Sequence, residues 1–126
     1  MFKIVFRRRV IRRPRRGTRV NYLKYKEAAR ELVKRRLEYY NRLYQFKIGR
    51  VSIKNHKSRW GSCSKKGNLN FNYKLALLPP EMADYVIVHE LCHLGEFNHS
   101  KNFWKLVAMS IPDYLEIKNK FKKIHV

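Results

Sequence analysis

The segment from Glu81 to Phe97 places the tightest constraint on how this chain can fold. Its apolar residues occupy most sides of a helix, and they are Tyr85, Val86, Ile87, Val88, Leu91, Cys92 and Leu94. A helix that is apolar on most sides is stable only when other parts of the protein enclose it. We therefore predict a buried helix around which the rest of the chain packs.

Three histidines and a glutamate lie within and just beyond this helix, in the sequence HELCHLGEFNHS. His89 and His93 share one helix face, with Cβ atoms about 6 Å apart, so both imidazoles can bind one ion. Glu90 is offset around the helix, where its carboxylate can reach a water molecule on that ion. His99 is the third candidate ligand. Because catalytic zinc sites keep three protein ligands and one open position, the pattern predicts one catalytic Zn²⁺ per chain.

Two other interpretations of the histidines are weaker. Histidines bonded only to backbone carbonyls would leave two imidazoles and a carboxylate buried in an apolar helix without a partner, which is costly. A purely structural metal site usually has four protein ligands. Cys92 is a candidate for the fourth, but it lies about 100° around the helix from His93, and we assign it to the core.

The order of elements predicts an α+β fold. Apolar residues spaced by three and four from Tyr22 to Phe46 predict an amphipathic helix. The segments RVSIKN, SRWGSCS and NLNFNYKLALL follow as short strands, with the turn-forming KKGN between the last two, and predict a small antiparallel sheet. Two C-terminal helices complete the chain, KNFWKLVAMSI with Ser100 as its N-cap and DYLEIKNKFKKI with Pro112 as its first residue.

The chain is strongly basic, with 30 Lys and Arg against 9 Asp and Glu, a net charge of +21 over 126 residues. We predict a basic arm over residues 1–17 and one domain over residues 18–126. Arginine side chains bind phosphate groups, so those of the arm are candidate contacts to nucleic acid or another polyanion. The candidates are Arg7, Arg8, Arg9, Arg12, Arg13, Arg15 and Arg16.

No apolar run approaches the roughly 20 residues that cross a bilayer, and no apolar secretion segment lies near the start of the sequence. We therefore expect a cytoplasmic protein without a membrane span. Cys63 and Cys92 form no closely spaced pair and are expected to be reduced. No pattern in the sequence predicts an oligomeric state.

The stretch RWGSCSKKGNLNFNYKLALLPPEMADYVIVHELCHLGEFNHSKNFW resembles the YgjP-like metallopeptidase domain, a zincin-like group akin to SprT-type proteases. The similarity includes the preceding helix and runs from about residue 18 to the end. The resemblance implies a zincin-like fold, a zinc site of His89, His93 and His99, Glu90 as the catalytic glutamate, and a peptide or protein substrate. Relatives usually carry a longer N-terminal β region, so we expect a shortened cleft wall here.

In a zinc hydrolase of this type, Glu90 would take a proton from the attacking water. The developing oxyanion needs a second stabilising group besides the metal. Arg59, His56 and Tyr114 are candidates for that group by residue type alone.

Three functions fit the sequence pattern. The first is a zinc-dependent metallopeptidase, and the second is a zinc-dependent hydrolase of nucleotides or phosphate esters, since cationic side chains stabilise phosphoryl oxygens. The third is a nucleic-acid-binding module with a structural or vestigial zinc site. Loss of turnover in Glu90→Gln separates the two enzymes from the module. Deleting residues 1–16 is expected to abolish polyanion binding if the third function holds.

Overall fold

The computed structural model describes residues 18–123 together with the backbone of residues 2–3. The seven candidate arginines of the basic arm lie outside the described residues. The helices of the described part are α1 (Arg19–Tyr44), α2 (Pro80–Cys92), α3 (Lys101–Ser110) and α4 (Tyr114–Phe121). The strands are β1 (Phe2–Lys3), β2 (Val51–Lys54), β3 (Gly61–Cys63) and β4 (Leu69–Asn72). The predicted α+β class is confirmed.

Helix α2 is enclosed by the rest of the domain, as its apolar surface predicts. Its residues from Tyr85 to Cys92 are all buried. Helix α1 is fastened to it by Arg36, whose Nε and Nη2 donate to the two carboxylate oxygens of Asp84 at 2.9 and 2.8 Å. The hydroxyl of Tyr40 donates to the same carboxylate at 2.8 Å. Bidentate bonding of this kind fixes both the distance and the orientation of the two helices.

Helix α1 is amphipathic and begins a few residues earlier than the periodicity predicts. The side chain of Thr18 caps its start by accepting a bond from the N–H of Asn21 at 3.1 Å. Gln45 ends it in the left-handed conformation, with φ of 56°. The buried residues of α1 all belong to the predicted apolar face, and they are Ala29, Val33 and Leu37.

The sheet is mixed, with strand order β1-β3-β4-β2. Strands β3 and β4 form the predicted antiparallel hairpin, in whose turn Gly67 adopts a φ of 86°. Strand β2 pairs in parallel with the other edge of β4, with Val51 opposite Leu69. The expectation of an antiparallel sheet is therefore corrected for this pair. Because the hairpin occupies one edge of β4, β2 can reach only the other, and the chain has reversed twice between them.

Strand β4 is shorter than the segment NLNFNYKLALL suggests, because Asn72 ends it. The Oδ1 atom of Asn72 accepts a bond from the N–H of Lys74 at 3.0 Å, which starts a 3-10 helix over Tyr73–Leu77. Its Nδ2 atom donates to the carbonyls of His56 and Arg59, each at 3.1 Å. This one buried amide also holds the loop that leads into β3.

Helix α2 ends at Cys92 rather than at Phe97 as predicted. A tight turn follows, in which Gly95 lies against the ring of Phe46. A Cβ atom on Gly95 would lie 2.6 Å from Cζ of that ring, so a larger residue would require the ring of Phe46 to shift. This contact with Phe46 lies just beyond the end of the helix. The helical spacing of the sequence could not predict it, because Phe46 is distant in sequence.

The two C-terminal helices form as predicted, with one difference. Ser100 caps α3, and its hydroxyl accepts a bond from the N–H of Phe103 at 3.4 Å. Helix α4 begins after Asp113, so Pro112 precedes the helix instead of starting it. Cys63 and Cys92 are buried free thiols, as expected. None of the helices in the described part of the chain combines the length and the apolar character needed to cross a membrane.

Candidate metal centre

His89, His93 and His99 converge at the C-terminal end of α2. The Nε2 atom of His93 lies 3.2 Å from that of His89 and 3.1 Å from that of His99, and the third separation is 3.2 Å. Two ligands of a tetrahedral zinc ion, each at about 2.0–2.1 Å, are separated by roughly 3.3 Å. The three nitrogens could therefore hold a metal ion.

Helical spacing positions two of these three side chains in the cluster, and a turn of the chain positions the third. Helical spacing places His89 and His93 on one face of α2. In a continuous helix, His99 would lie about 9 Å further along the axis and about 240° around from His93. The turn after Cys92 reverses the chain, and His99 returns to the face that the other two share. Ser100 then starts α3 directly after the third histidine.

Aromatic rings pack around the imidazoles and orient them. The ring of His93 stacks on Phe103, with centroids 4.3 Å apart and planes at 18°. The ring of Trp104 stacks on His99 at 5.9 Å and 24°, and Tyr114 stacks on Trp104 at 5.0 Å and 12°. Packing on the faces of the rings restricts their rotation, which leaves the Nε2 atoms directed towards one another.

The histidines are held in the neutral state that metal binding requires. Burial lowers the pKa of His89 well below its usual value, lowers that of His93 to about 4, and lowers that of His99. The Nδ1 atom of His93 donates to the carbonyl of Glu96 at 3.0 Å. This bond keeps the proton on Nδ1, so Nε2 presents a lone pair.

Glu90 is a buried carboxyl group beside the cluster, with an exposed fraction of 0%. Neither of its oxygens has a hydrogen-bond partner among the described residues. Burial raises the pKa of Glu90 well above its usual value, and the charge of Arg59 opposes this shift. A buried carboxyl without a partner is costly, so its position is better explained by a ligand or a water molecule than by packing.

Gly61 of strand β3 lies directly against the side chain of Glu90. A Cβ atom on Gly61 would lie 3.0 Å from Cγ and 3.3 Å from Oε2 of Glu90. The glycine therefore allows the strand to approach the carboxyl group as closely as it does. The sequence signal for this contact is the WGS of RWGSC, which contributes to the family resemblance but does not by itself reveal the partner of the glycine.

The three candidates for the oxyanion stabiliser lie at different distances from the cluster. Arg59 is close enough for its charge to lower the pKa of Glu90. Tyr114 stacks on Trp104, whose ring stacks on His99. His56 lies in the loop before β3 and does not belong to the group of three histidines.

Sequence reasoning missed a cation beside the histidines. Lys118 of α4 places its Nζ atom 4.8 Å from the centroid of Trp104. Its charge contributes to the lowered pKa values of His89 and His99. Sequence spacing could not reveal this neighbour, because α4 reaches the site only through tertiary packing. By contrast, Cys92 is fully buried and outside the cluster, in agreement with its assignment to the core.

Comparison with known proteins identifies the family of this chain. The YgjP-like metallopeptidase domain matches residues 6–124. Among solved structures, the metallopeptidase zymogen of Pyrococcus abyssi abylysin is similar, with a TM-score of 0.65 and 26% sequence identity, over 72% of this chain and 92% of that chain. No protein of curated function gives a significant sequence match. The family match spans nearly the whole sequence, and the similar structure is a metallopeptidase zymogen. The chain therefore belongs to the YgjP-like metallopeptidase domain family.

Proposed function

We propose that this protein is a zinc-dependent metallopeptidase in which His89, His93 and His99 bind one Zn²⁺ and Glu90 is the general base. The observation that carries the proposal is the convergence of three neutral imidazole nitrogens, 3.1–3.2 Å apart, next to a buried carboxyl group. Membership of a metallopeptidase family supports a peptide bond as the substrate.

The residues present fit zinc by chemistry as well as by spacing. Three imidazole nitrogens are a donor set found in catalytic zinc sites, and three protein ligands leave one position open. Bound there, zinc would supply a Lewis acid that polarises the scissile carbonyl and acidifies water. Trp104 and Phe103 would keep the ligand rings in place, since they pack on His99 and His93.

Glu90 would take a proton from the attacking water and later pass it to the leaving amine. Its buried environment raises its pKa, which makes the carboxylate a stronger base than an exposed one. Arg59 is our first candidate for the second group that stabilises the oxyanion, since its positive charge acts on the same carboxyl group. Tyr114 and His56 stay predictions for that role.

A substrate comparison tests the peptidase assignment against the phosphate-ester alternative. Zinc-loaded and metal-depleted protein would each be incubated with casein, a mixed peptide library, nucleotides and a phosphate monoester. We expect new peptide termini by mass spectrometry with the zinc-loaded protein only. Release of phosphate or nucleoside without peptide cleavage would overturn the assignment in favour of the second hydrolase.

Gly61→Ala is expected to reduce peptide turnover about tenfold or more while zinc remains bound, because the new methyl group displaces the carboxyl group of Glu90. The added contact is also expected to destabilise the fold by about 1–3 kcal/mol. Turnover, metal content and thermal unfolding measure the three effects. Ser62→Ala, on the opposite face of β3, is the matched control and should retain turnover. Full turnover in Gly61→Ala would contradict the close approach of β3 to Glu90.

The stability of metal-free protein is expected to depend on pH through His93. Its pKa is about 4 in the folded state and about 6.5 in the unfolded chain, so the unfolded chain binds more protons between these values. The contribution of His93 is therefore present above about pH 6.5 and lost as the pH falls towards 4. Allowing for solvent screening, the loss is about 1–3 kcal/mol.

Chemical denaturation of wild type and His93→Asn from pH 4 to 7, both without metal, measures this contribution. Glu90 titrates in the opposite direction in both proteins, and His89 and His99 titrate in the same direction as His93, so the difference between the two proteins reports His93 together with its charge coupling to His89 and His99. We expect the stability advantage of wild type to shrink as the pH falls. A difference that stays constant across this range would contradict the lowered pKa of His93.

A further inference from the structure

A groove separate from the histidines runs between α1 and the edge strand β2. Its volume is about 610 Å³. Apolar side chains line much of it, namely Leu37, Phe46, Ile48, Val51 and Ile53. None of the residues that line the groove belongs to α2, α3 or α4. The proposed zinc chemistry therefore gives this groove no role.

Among the described residues, the backbone of β2 is open on this side at Val51. Strand β2 pairs only with β4 in the described sheet. The N–H of Leu69 donates to the carbonyl of Arg50, and this bond fixes which residues of β2 direct their backbone groups to β4. Ser52 therefore directs its backbone groups to β4, while Val51 and Ile53 direct theirs outward. The hydroxyl of Tyr22 donates to the outward carbonyl of Ile53 at 3.2 Å. Val51 presents both a donor and an acceptor to an incoming strand.

Cations surround the groove. Lys34 and Arg42 are exposed at its α1 side, and neither forms an ion pair with a described residue. Lys54 is exposed on the opposite face of β2, since side chains alternate along a strand. Glu38 is the acidic residue among those that line the groove. The charge of this surface therefore favours an acidic partner.

We propose that the groove binds an extended peptide segment in which acidic and apolar residues alternate, and that the segment adds to β2 as a further strand. Apolar side chains of alternate residues enter the space between α1 and β2, where Leu37 and Ile48 lie. The acidic side chains point to the other face, towards Lys54, and the ends of the segment lie near Lys34 and Arg42. Backbone bonds to Val51 set the register. This binding does not rest on the proposed zinc chemistry.

Fluorescence anisotropy tests the proposal directly. The probe is a labelled octapeptide of alternating glutamate and valine, measured in about 150 mM salt to screen long-range attraction. The Glu90→Gln protein, full length, prevents cleavage of the probe. An octapeptide of alternating lysine and valine is the comparison, and we expect the acidic peptide to bind at least tenfold more tightly. Equal affinity for the two peptides would overturn the proposal.

Substitutions at the groove locate the binding. Val51→Pro removes the outward N–H, and proline is tolerated on an edge strand, so we expect Kd to rise about fivefold to tenfold. Val51→Thr keeps the N–H and the side-chain shape and should stay within about twofold. Lys34→Glu and Lys54→Glu should each raise Kd several-fold, whereas Lys105→Glu, with the same change of charge on α3, should not. Equal effects of the three lysine variants would show attraction to the basic protein in general and overturn the proposal.

Two further measurements distinguish other occupants. If octathymidylate binds and the same groove variants weaken it, the groove is a nucleic-acid site and the peptide proposal fails. If sedimentation shows a dimer that Val51→Pro dissociates, a second copy of the chain occupies β2 and the proposal also fails. Thermal unfolding verifies that each variant is folded, and the lysine series decides the question if Val51→Pro does not fold.

Discussion

Glu90→Gln is expected to reduce peptide hydrolysis by about 10²–10⁴-fold while zinc stays bound at one equivalent, the range that general acid-base catalysis contributes. Glutamine has nearly the same shape as glutamate and continues to fill the space against Gly61, but its amide cannot accept the proton of the attacking water. The measurement is kcat on a peptide identified in the substrate comparison, together with the zinc content of the same preparation.

Glu81→Gln is the matched control for this change. Glu81 lies on the same helix, is exposed, and pairs with Lys120 at 3.2 Å, so the substitution removes the same charge far from the proposed reaction. Turnover in this variant should stay within about twofold of wild type, since exposed ion pairs contribute little. Unchanged turnover in Glu90→Gln would reject the general base. Loss of zinc together with activity would instead place Glu90 among the metal ligands.

His93→Ala is expected to weaken zinc binding by at least about 100-fold and to remove activity with it, since the loss of even an outer partner of a ligand costs about 10–100-fold. The remaining two imidazoles cannot complete the set of three protein ligands that a catalytic zinc site requires. Competition with a chelator measures the affinity, and the metal content after dialysis provides a second reading. Retention of one tightly bound equivalent would contradict the proposed site.

Two companion variants separate loss of a ligand from loss of packing. His93 is fully buried and stacks on Phe103, so His93→Ala also leaves a cavity and is expected to destabilise the metal-free protein. His99→Ala changes a more exposed residue, and should lose zinc with a smaller loss of stability. His56→Ala removes a histidine outside the cluster and should keep zinc bound at one equivalent.

Local patterns in the sequence were sufficient to predict that α1 to α4 form and that His89 and His93 share one face of α2, but not where α2 ends or where α4 begins. The apolar surface of α2 predicts its burial because that surface has to be covered, wherever the covering residues come from. His89 and His93 follow from helical spacing alone, and the capping of α3 by Ser100 requires only residues within one turn. These predictions succeed because periodicity and capping involve neighbours in sequence, whose geometry the backbone fixes.

Only the tertiary structure decided the features that depend on residues distant in sequence. Strand β2 pairs with the edge of β4 that β3 leaves unpaired, and it runs parallel to β4 because the chain reverses once between β2 and β3 and again between β3 and β4. The alternation pattern of a strand does not indicate which edge it will pair with. His99 joins the cluster because the chain turns where Gly95 meets Phe46. Gly61 contacts Glu90 only because β3 packs against α2. In the same way, the groove between α1 and β2 forms only when these two elements pack together. The sequence by itself determined which side chains can do chemistry and on which helix face, and long-range packing determined which of them meet.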